Sequence, residues 1–219
     1  MAPGAGPAGA PGAAPAGGYP LTGVAYPGVA PDGTALQMEA EPAEGHTGFV
    51  ARLDLGPTFT RLAGKSGTES IEVSGLGVGM QLALGWVVTP GLGLFANVVG
   101  ASAVNPQIKR YGVTAKTKET FATLHGFGPG LAYTFADLGL TLSGSFLLSR
   151  HAETVLSGSR RTTSSALGLG GDFGLSRTFR LSPTWGLGVG AHVQYARIQD
   201  DGATWNDLAF RLGMAVSFD

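Results

Sequence analysis

Residues 74–86 read Ser74-Gly75-Leu76-Gly77-Val78-Gly79-Met80-Gln81-Leu82-Ala83-Leu84-Gly85-Trp86. Leu76, Val78, Met80, Leu82, Leu84 and Trp86 alternate with Gly, Gln or Ala. Strand side chains point alternately to two faces, so a period of two makes one face greasy and the other almost bare. A helix would spread the same residues around its whole circumference.

The texture repeats outward from this stretch. Seven further strands are predicted at about 49–62, 92–104, 120–135, 138–150, 164–179, 185–198 and 207–218. In the seventh of the eight, Trp185, Leu187, Val189, Ala191, Val193 and Tyr195 share one face, and Gly186, Gly188, Gly190, His192 and Gln194 the other. Leu208, Phe210, Leu212, Met214, Val216 and Phe218 repeat the pattern in the last. Connections at 88–91, 136–137 and 180–184 are short and rich in turn formers. Those at 63–70, 105–119, 151–163 and 199–206 are longer and polar. Short turns at one end and long loops at the other predict an all-β fold. It is a closed, eight-stranded, antiparallel up-and-down transmembrane β-barrel, with both termini at the short-turn, periplasmic end.

Composition fits. The 219 residues are 43% hydrophobic and 13% charged, with 37 Gly and a mean hydropathy of +0.18. No apolar run approaches the ~18 residues of a membrane helix. A net charge of -1 gives no reason to expect nucleic acid. The absence of Cys excludes disulfides, a thiolate nucleophile, Cys-based metal sites and a lipoprotein anchor. The N-terminus shows no charged stretch followed by an apolar one. An outer-membrane reading therefore implies that a secretion signal has been removed and Met1 added. Residues 1–47 are Ala/Pro/Gly-rich, opening Met1-Ala2-Pro3-Gly4, and are expected to be a disordered arm ahead of the barrel at 48–219. The arm reads as a tether, or as a ligand for a periplasmic or envelope-complex protein.

The greasy face is expected to point outward. All four lysines (Lys65, Lys109, Lys116, Lys118) fall in the long connections. The mid-strand charges Arg52, Asp54, Asp172 and Arg211 lie on the Gly-rich face. Charge facing lipid costs ~2–4 kcal/mol at the midplane, so a lumen location follows. Aromatics gather near the short turns (Phe49, Trp86, Tyr133, Phe135, Phe179, Trp185, Phe218) and again toward the loops (Phe59, Phe121, Phe146, Tyr195). Two interfacial girdles have that form. A soluble sandwich with Gly at bulges is the competing reading.

The closing stretch Arg211-Leu212-Gly213-Met214-Ala215-Val216-Ser217-Phe218 resembles the C-terminal assembly signal of outer-membrane barrels. Arg211 supplies the polar residue, Gly213 the glycine, and Val216 and Phe218 the apolar end; Asp219 follows where the aromatic is usually last. Residues 48–218 resemble the OmpA/OmpX-like barrels in layout. The resemblance implies an outer-membrane location and the barrel-assembly machinery as a partner.

Chemistry is sparse. His46 lies in the arm, His151 in a loop, His125 outward near the loop end, and His192 in the lumen. Lipid A deacylases of this architecture carry a His-x-Ser pair, but His125-Gly126-Phe127 supplies no serine. Gly168-Leu169-Gly170-Gly171 lacks the Lys-Ser/Thr and helix of a phosphate loop. No catalytic residue, metal or cofactor is expected. Arg52, Asp54, Asp172, His192 and Arg211 should form a lumen cluster, acting as a plug or a selectivity constriction. Arg61, Arg150 and Arg197, with Lys109 and Arg110, should form a rim at the loop end. That rim would grip lipopolysaccharide phosphates or simply snorkel. The expected role is a non-enzymatic anchor or interaction component of a larger envelope complex (secretion, adhesion or motility). A narrow pore and a lipid A-modifying enzyme are the alternatives.

Overall fold

The computed structural model describes residues 47–156 and 161–218. Eight strands form the staves of a closed barrel: β1 (Gly48–Ser66), β2 (Glu69–Thr89), β3 (Leu92–Val104), β6 (Thr120–Phe135), β7 (Leu140–Val155), β9 (Gly168–Arg180), β10 (Trp185–Asp200) and β11 (Ala203–Phe218). Three short strands are accessories: β4 (Gln107–Arg110), β5 (Val113–Lys116) and β8 (Arg161–Ser164). Each stave pairs antiparallel with the next. The ring closes where β1 pairs with both β2 and β11, from Ala51↔Phe218 to Lys65↔Thr204 on the closing side. Closure removes the edge that an open sheet would expose.

Two expected long loops are corrected. At 63–70 and 199–206 the staves run on, and the turns are only Gly67-Thr68 and Asp201-Gly202. Gly67, Asp201 and Gly202 take positive φ, as two-residue hairpin turns require. The sequence signal fails there because Lys65, Ser66, Gln199 and Asp200 interrupt the alternation of apolar and bare positions. The connection at 105–119 contains the β4–β5 hairpin, with β4 paired to β2 from Ser74↔Gln107 to Ile71↔Arg110. That at 151–163 continues β7 to Val155 and folds β8 back on it. The fifth stave starts at Leu140 rather than 138 because Ala136–Leu138 makes a 3₁₀ turn, ended by left-handed Gly139. The sixth starts at Gly168 rather than 164.

Outward side chains are apolar and bare: Leu76 is 72% exposed, Phe173 67% and Leu212 66%. The interior has two layers and a hollow. Toward the hairpin end lies an apolar core built around Leu62, Val73, Leu124 and Ile198, with Trp205 packed against it. A polar layer follows, and a cavity lies toward the short turns.

Two Gly-Pro pairs sit mid-strand, Gly56-Pro57 in β1 and Gly128-Pro129 in β6. Proline offers no N–H to a ladder. The β1–β11 pairing lapses between Leu55↔Met214 and Thr58↔Arg211, and β6–β7 between Phe127↔Leu148 and Gly130↔Ser145. Register resumes unchanged after each gap.

Inward glycines answer bulky neighbours. A Cβ at Gly174 would fall on the His192 ring and the Ser143 hydroxyl, whereas one at outward Gly144 would meet only Phe173, 3.6 Å away. Gly174→Val should therefore destabilise the barrel by about 1–3 kcal/mol, as overpacking does. Gly144→Ala should leave the urea midpoint of the detergent-folded protein nearly unchanged. Equal midpoints for both variants would contradict this packing.

Candidate functional site

The polar layer is built on β11, β1 and β10, whose inward residues meet at mid-barrel. Arg211 from β11 and Asp54 from β1 are 3% and 1% exposed, with Nε 3.0 Å from Oδ1. This contact is an ion pair without hydrogen-bond alignment. The other guanidinium nitrogens do align: Nη2 donates to Gln81 Oε1 at 2.6 Å and Nη1 to the Met80 carbonyl at 3.2 Å. Gln81 Nε2 donates to Asn97 Oδ1 at 3.3 Å, and Asn97 Nδ2 to Ser145 Oγ at 2.9 Å. The chain of bonds crosses the bore from β11 through β2 and β3 to β7.

His192 lies 5% exposed between two carboxylates. Its Nδ1 is 3.2 Å from Asp172 Oδ2, and an acceptor-only carboxylate makes that nitrogen the donor. Nε2 stands 3.8 Å from Asp54, beyond hydrogen-bond reach. Arg52 is more distant, with Nη2 4.0 Å from Asp54 Oδ2. Two arginines thus balance two aspartates, as buried charge requires. The expected cluster of Arg52, Asp54, Asp172, His192 and Arg211 is brought together. Glycines make its room. A Cβ at Gly79 would lie 2.8 Å from Arg211 Cδ, and one at Gly213 would strike the Asp54 carboxylate. The predicted assembly signal is therefore split. Arg211 and Gly213 belong to this inner cluster, while Val216 and Phe218 are outward.

A second buried pair is absent from the sequence reading. His151 is not in a loop. It belongs to β7, with Nδ1 2.9 Å from the fully buried Asp207 Oδ2 and its ring 4.6 Å from Trp205. The two lie 56 residues apart, so only the β7–β9–β10–β11 order of the ring unites them. Continuing the Leu147, Ser149 alternation by one step would have placed His151 inward. Ser149 Oγ makes no hydrogen bond among the described residues. It fills space left by Gly126 and Gly170, where a Cβ would come within 2.8 and 2.7 Å of it.

The rim residues separate into two groups. Arg61 Nη2 is 2.8 Å from Glu72 Oε2, with Lys109 opposite Glu72 across the β2–β4 ladder. Arg110 Nη2 is 3.1 Å from Glu69 Oε2, and its guanidinium lies over the Tyr111 ring. On the projecting hairpins, the Tyr111 hydroxyl and then Arg110 hold the Glu69 carboxyl below the usual carboxylate range. That contact persists above the ordinary range and is lost as pH falls through the lowered value. Arg150 and Arg197 differ, for both are exposed and neither meets a carboxylate among the described residues. Leu169, 56% exposed, pairs with Arg197 on one side and Leu148 on the other, so the two arginines flank an apolar strip. His125 faces outward opposite Arg150, as expected. The Tyr195 hydroxyl donates to Asn206 Oδ1 at 2.9 Å beneath this sector. At the other end, Phe49–Trp86, Tyr133–Phe135 and Trp185–Phe218 form edge-on aromatic pairs. His46 lies outside the described residues.

Topology and site together define a small, closed, eight-stranded antiparallel barrel, greasy outside and charged within. No protein-family model and no curated protein matches the chain. Among solved structures it is similar to the outer membrane protein OprG from Pseudomonas aeruginosa, at 14% identity and a TM-score of 0.48, over 80% of this chain and 98% of that one. It is similar to Neisserial surface protein A at 19% identity and a TM-score of 0.47, over 80% and 97%. A major outer membrane protein from Thermus thermophilus gives 16%, 0.45, 74% and 98%. Likeness at this level transfers no activity.

Arg211→Ala should cost about 3–5 kcal/mol, because it strands Asp54 beside the longer Arg52 contact. Arg52→Ala should cost less. A urea-denaturation double-mutant cycle between Arg211 and Asp54 should depart from additivity by more than about 0.5 kcal/mol. Additive losses would break the proposed coupling.

Proposed function

We propose that this chain is a non-conducting, non-enzymatic barrel of a bacterial outer membrane, serving as an anchor or interaction component of the envelope. The observation that carries this reading is the pairing of a bare apolar exterior with a bore crossed by two packed layers. Leu76, Phe173 and Leu212 are exposures that lipid accommodates and water does not. The hydrogen-bonded layer from Arg211 to Ser145, backed by the Leu62–Val73–Leu124 core, occupies the bore. This favours the plug over the selectivity constriction. Among the described residues the buried Ser149 hydroxyl makes no hydrogen bond to His151, whose Nδ1 pairs with Asp207.

In this orientation the hairpins lie outside, and residues 1–47 belong to the periplasmic side, where they would meet an envelope protein. The rim is assigned to the phosphorylated glycolipid of the outer leaflet. Arg150 and Arg197 are its grip, because their guanidinium forks are not engaged by carboxylates and stand beside exposed Leu169. Arg61 and Arg110 are already engaged by Glu72 and Glu69.

The protein should show heat-modifiable electrophoretic mobility in detergent and no single-channel steps in planar bilayers. A folded, monodisperse preparation in plain buffer would end the membrane reading, and defined conductance steps would end the plug. Native mass spectrometry should find lipopolysaccharide retained by wild type and Arg61→Ala but lost from Arg150→Ala/Arg197→Ala. Equal retention in all three would refute the rim assignment.

A further inference from the structure

Below the polar layer the lumen is a cavity of about 750 Å³, open between the short turns. Its wall and its floor differ in chemistry. Val50, Val87, Phe95 and Ala132 give an apolar wall. The Phe95 ring lies back into space left by Gly85 and Gly93, where a Cβ would come within 2.6 and 2.5 Å of it. The floor is Arg52, Asn97 and His192. Two of its polar nitrogens have no hydrogen-bond partner among the described residues. Arg52 Nη2 is buried without a hydrogen bond, and so is Nε2 of His192, a side chain 5% exposed. Asp54 pairs with Arg52 only by charge, across 4.0 Å from Nη2 to Oδ2, and gives it no hydrogen bond, its Oδ1 lying 3.0 Å from Arg211 Nε. The mouth carries Arg177, Arg180 and Asp137.

We infer that this cavity is a binding site for a carboxylate attached to an apolar body. The carboxylate sits on Arg52, which lines the cavity with its side chain 19% exposed and whose planar guanidinium suits carboxylate geometry. The body lies along Phe95, Val50 and Val87. The walls suit a group of aromatic or short aliphatic size, since a cavity of this volume holds a drug-sized molecule. The carboxylate comes from one of two sources. It is a free organic acid from the compartment at the turn end, or it belongs to the chain just ahead of the mouth. That stretch carries Glu41 and Glu44, and no Lys or Arg precedes Arg52.

The test uses the full chain in lipid nanodiscs, with 4-phenylbutyrate as the acid and 4-phenylbutanol as its uncharged counterpart. Titration calorimetry gives the affinities, and far-UV circular dichroism confirms that each variant is folded. The acid should bind at least about tenfold more tightly than the alcohol, the worth of one charge-assisted contact. Arg52→Gln should abolish that preference, and Arg52→Lys should retain part of it. If a free acid is the ligand, Glu41→Gln/Glu44→Gln should leave the affinity for phenylbutyrate unchanged. If the chain's own carboxylate occupies the site, that variant should bind the acid at least about tenfold more tightly than wild type. Equal affinity for acid and alcohol in both wild type and Glu41→Gln/Glu44→Gln would overturn the inference. So would no binding of either in both proteins, or an acid preference that survives Arg52→Gln.

Discussion

An eight-stranded ring has a bore just wide enough for side chains, and the interior of this protein follows from how that volume is filled. Every large inward residue must be met by a small one. Arg211 is met by Gly79, His192 by Gly174, Asp54 by Gly213 and Phe95 by Gly85 and Gly93. Inward glycine is thus the complement of a few large groups whose positions are fixed by charge. The same constraint explains the layering. Where the large groups are Leu and Ile the bore is dry, and where they are Arg and Asp it needs a hydrogen-bonded network. Where glycine is in excess the bore stays hollow.

The ionic arrangement depends on the order of the strands. Asp54 and Arg211 are 157 positions apart in the chain, yet closure of β1 on β11 makes them neighbours. Neither charge has a place in the barrel until the ring is closed, so the cluster is a consequence of closure. His192 ties in β10 and, through Asp172, β9, so charge spans four consecutive staves.

Much of this was legible in the sequence, for physical reasons that can be named. Alternation revealed every stave because lipid-facing and lumen-facing residues differ so sharply in stretches such as 74–86. The Arg52–Asp54–Arg211 association followed from parity and the need to close the ring. What stayed hidden was whatever lacks a two-residue contrast. The extensions at 63–70 and 199–206 are mostly polar, so they read as loops. The His151–Asp207 pair required knowing that β7 continues to Val155. The quenching of Arg61 by Glu72 depended on the hairpin register, Ala63↔Glu72, which a misread loop could not supply.

The Gly-Pro pairs have a mechanical consequence. Around the ring, the lapse between β11 and β1 and the lapse between β6 and β7 lie four staves apart, on opposite sides. The barrel is therefore two four-stranded half-shells, each continuously stitched, joined along two seams that lose pairing at mid-height. Side chains span both seams: Arg211 to Asp54 and the Thr58 hydroxyl to the Phe210 carbonyl at one, Asn97 to Ser145 at the other. A ring with two opposed soft points resists a uniform squeeze yet flexes readily from circle to ellipse. The rivets that limit this ovalisation are the same polar groups that cross the bore, so the barrel's stiffness and the packing of its interior rest on one set of contacts.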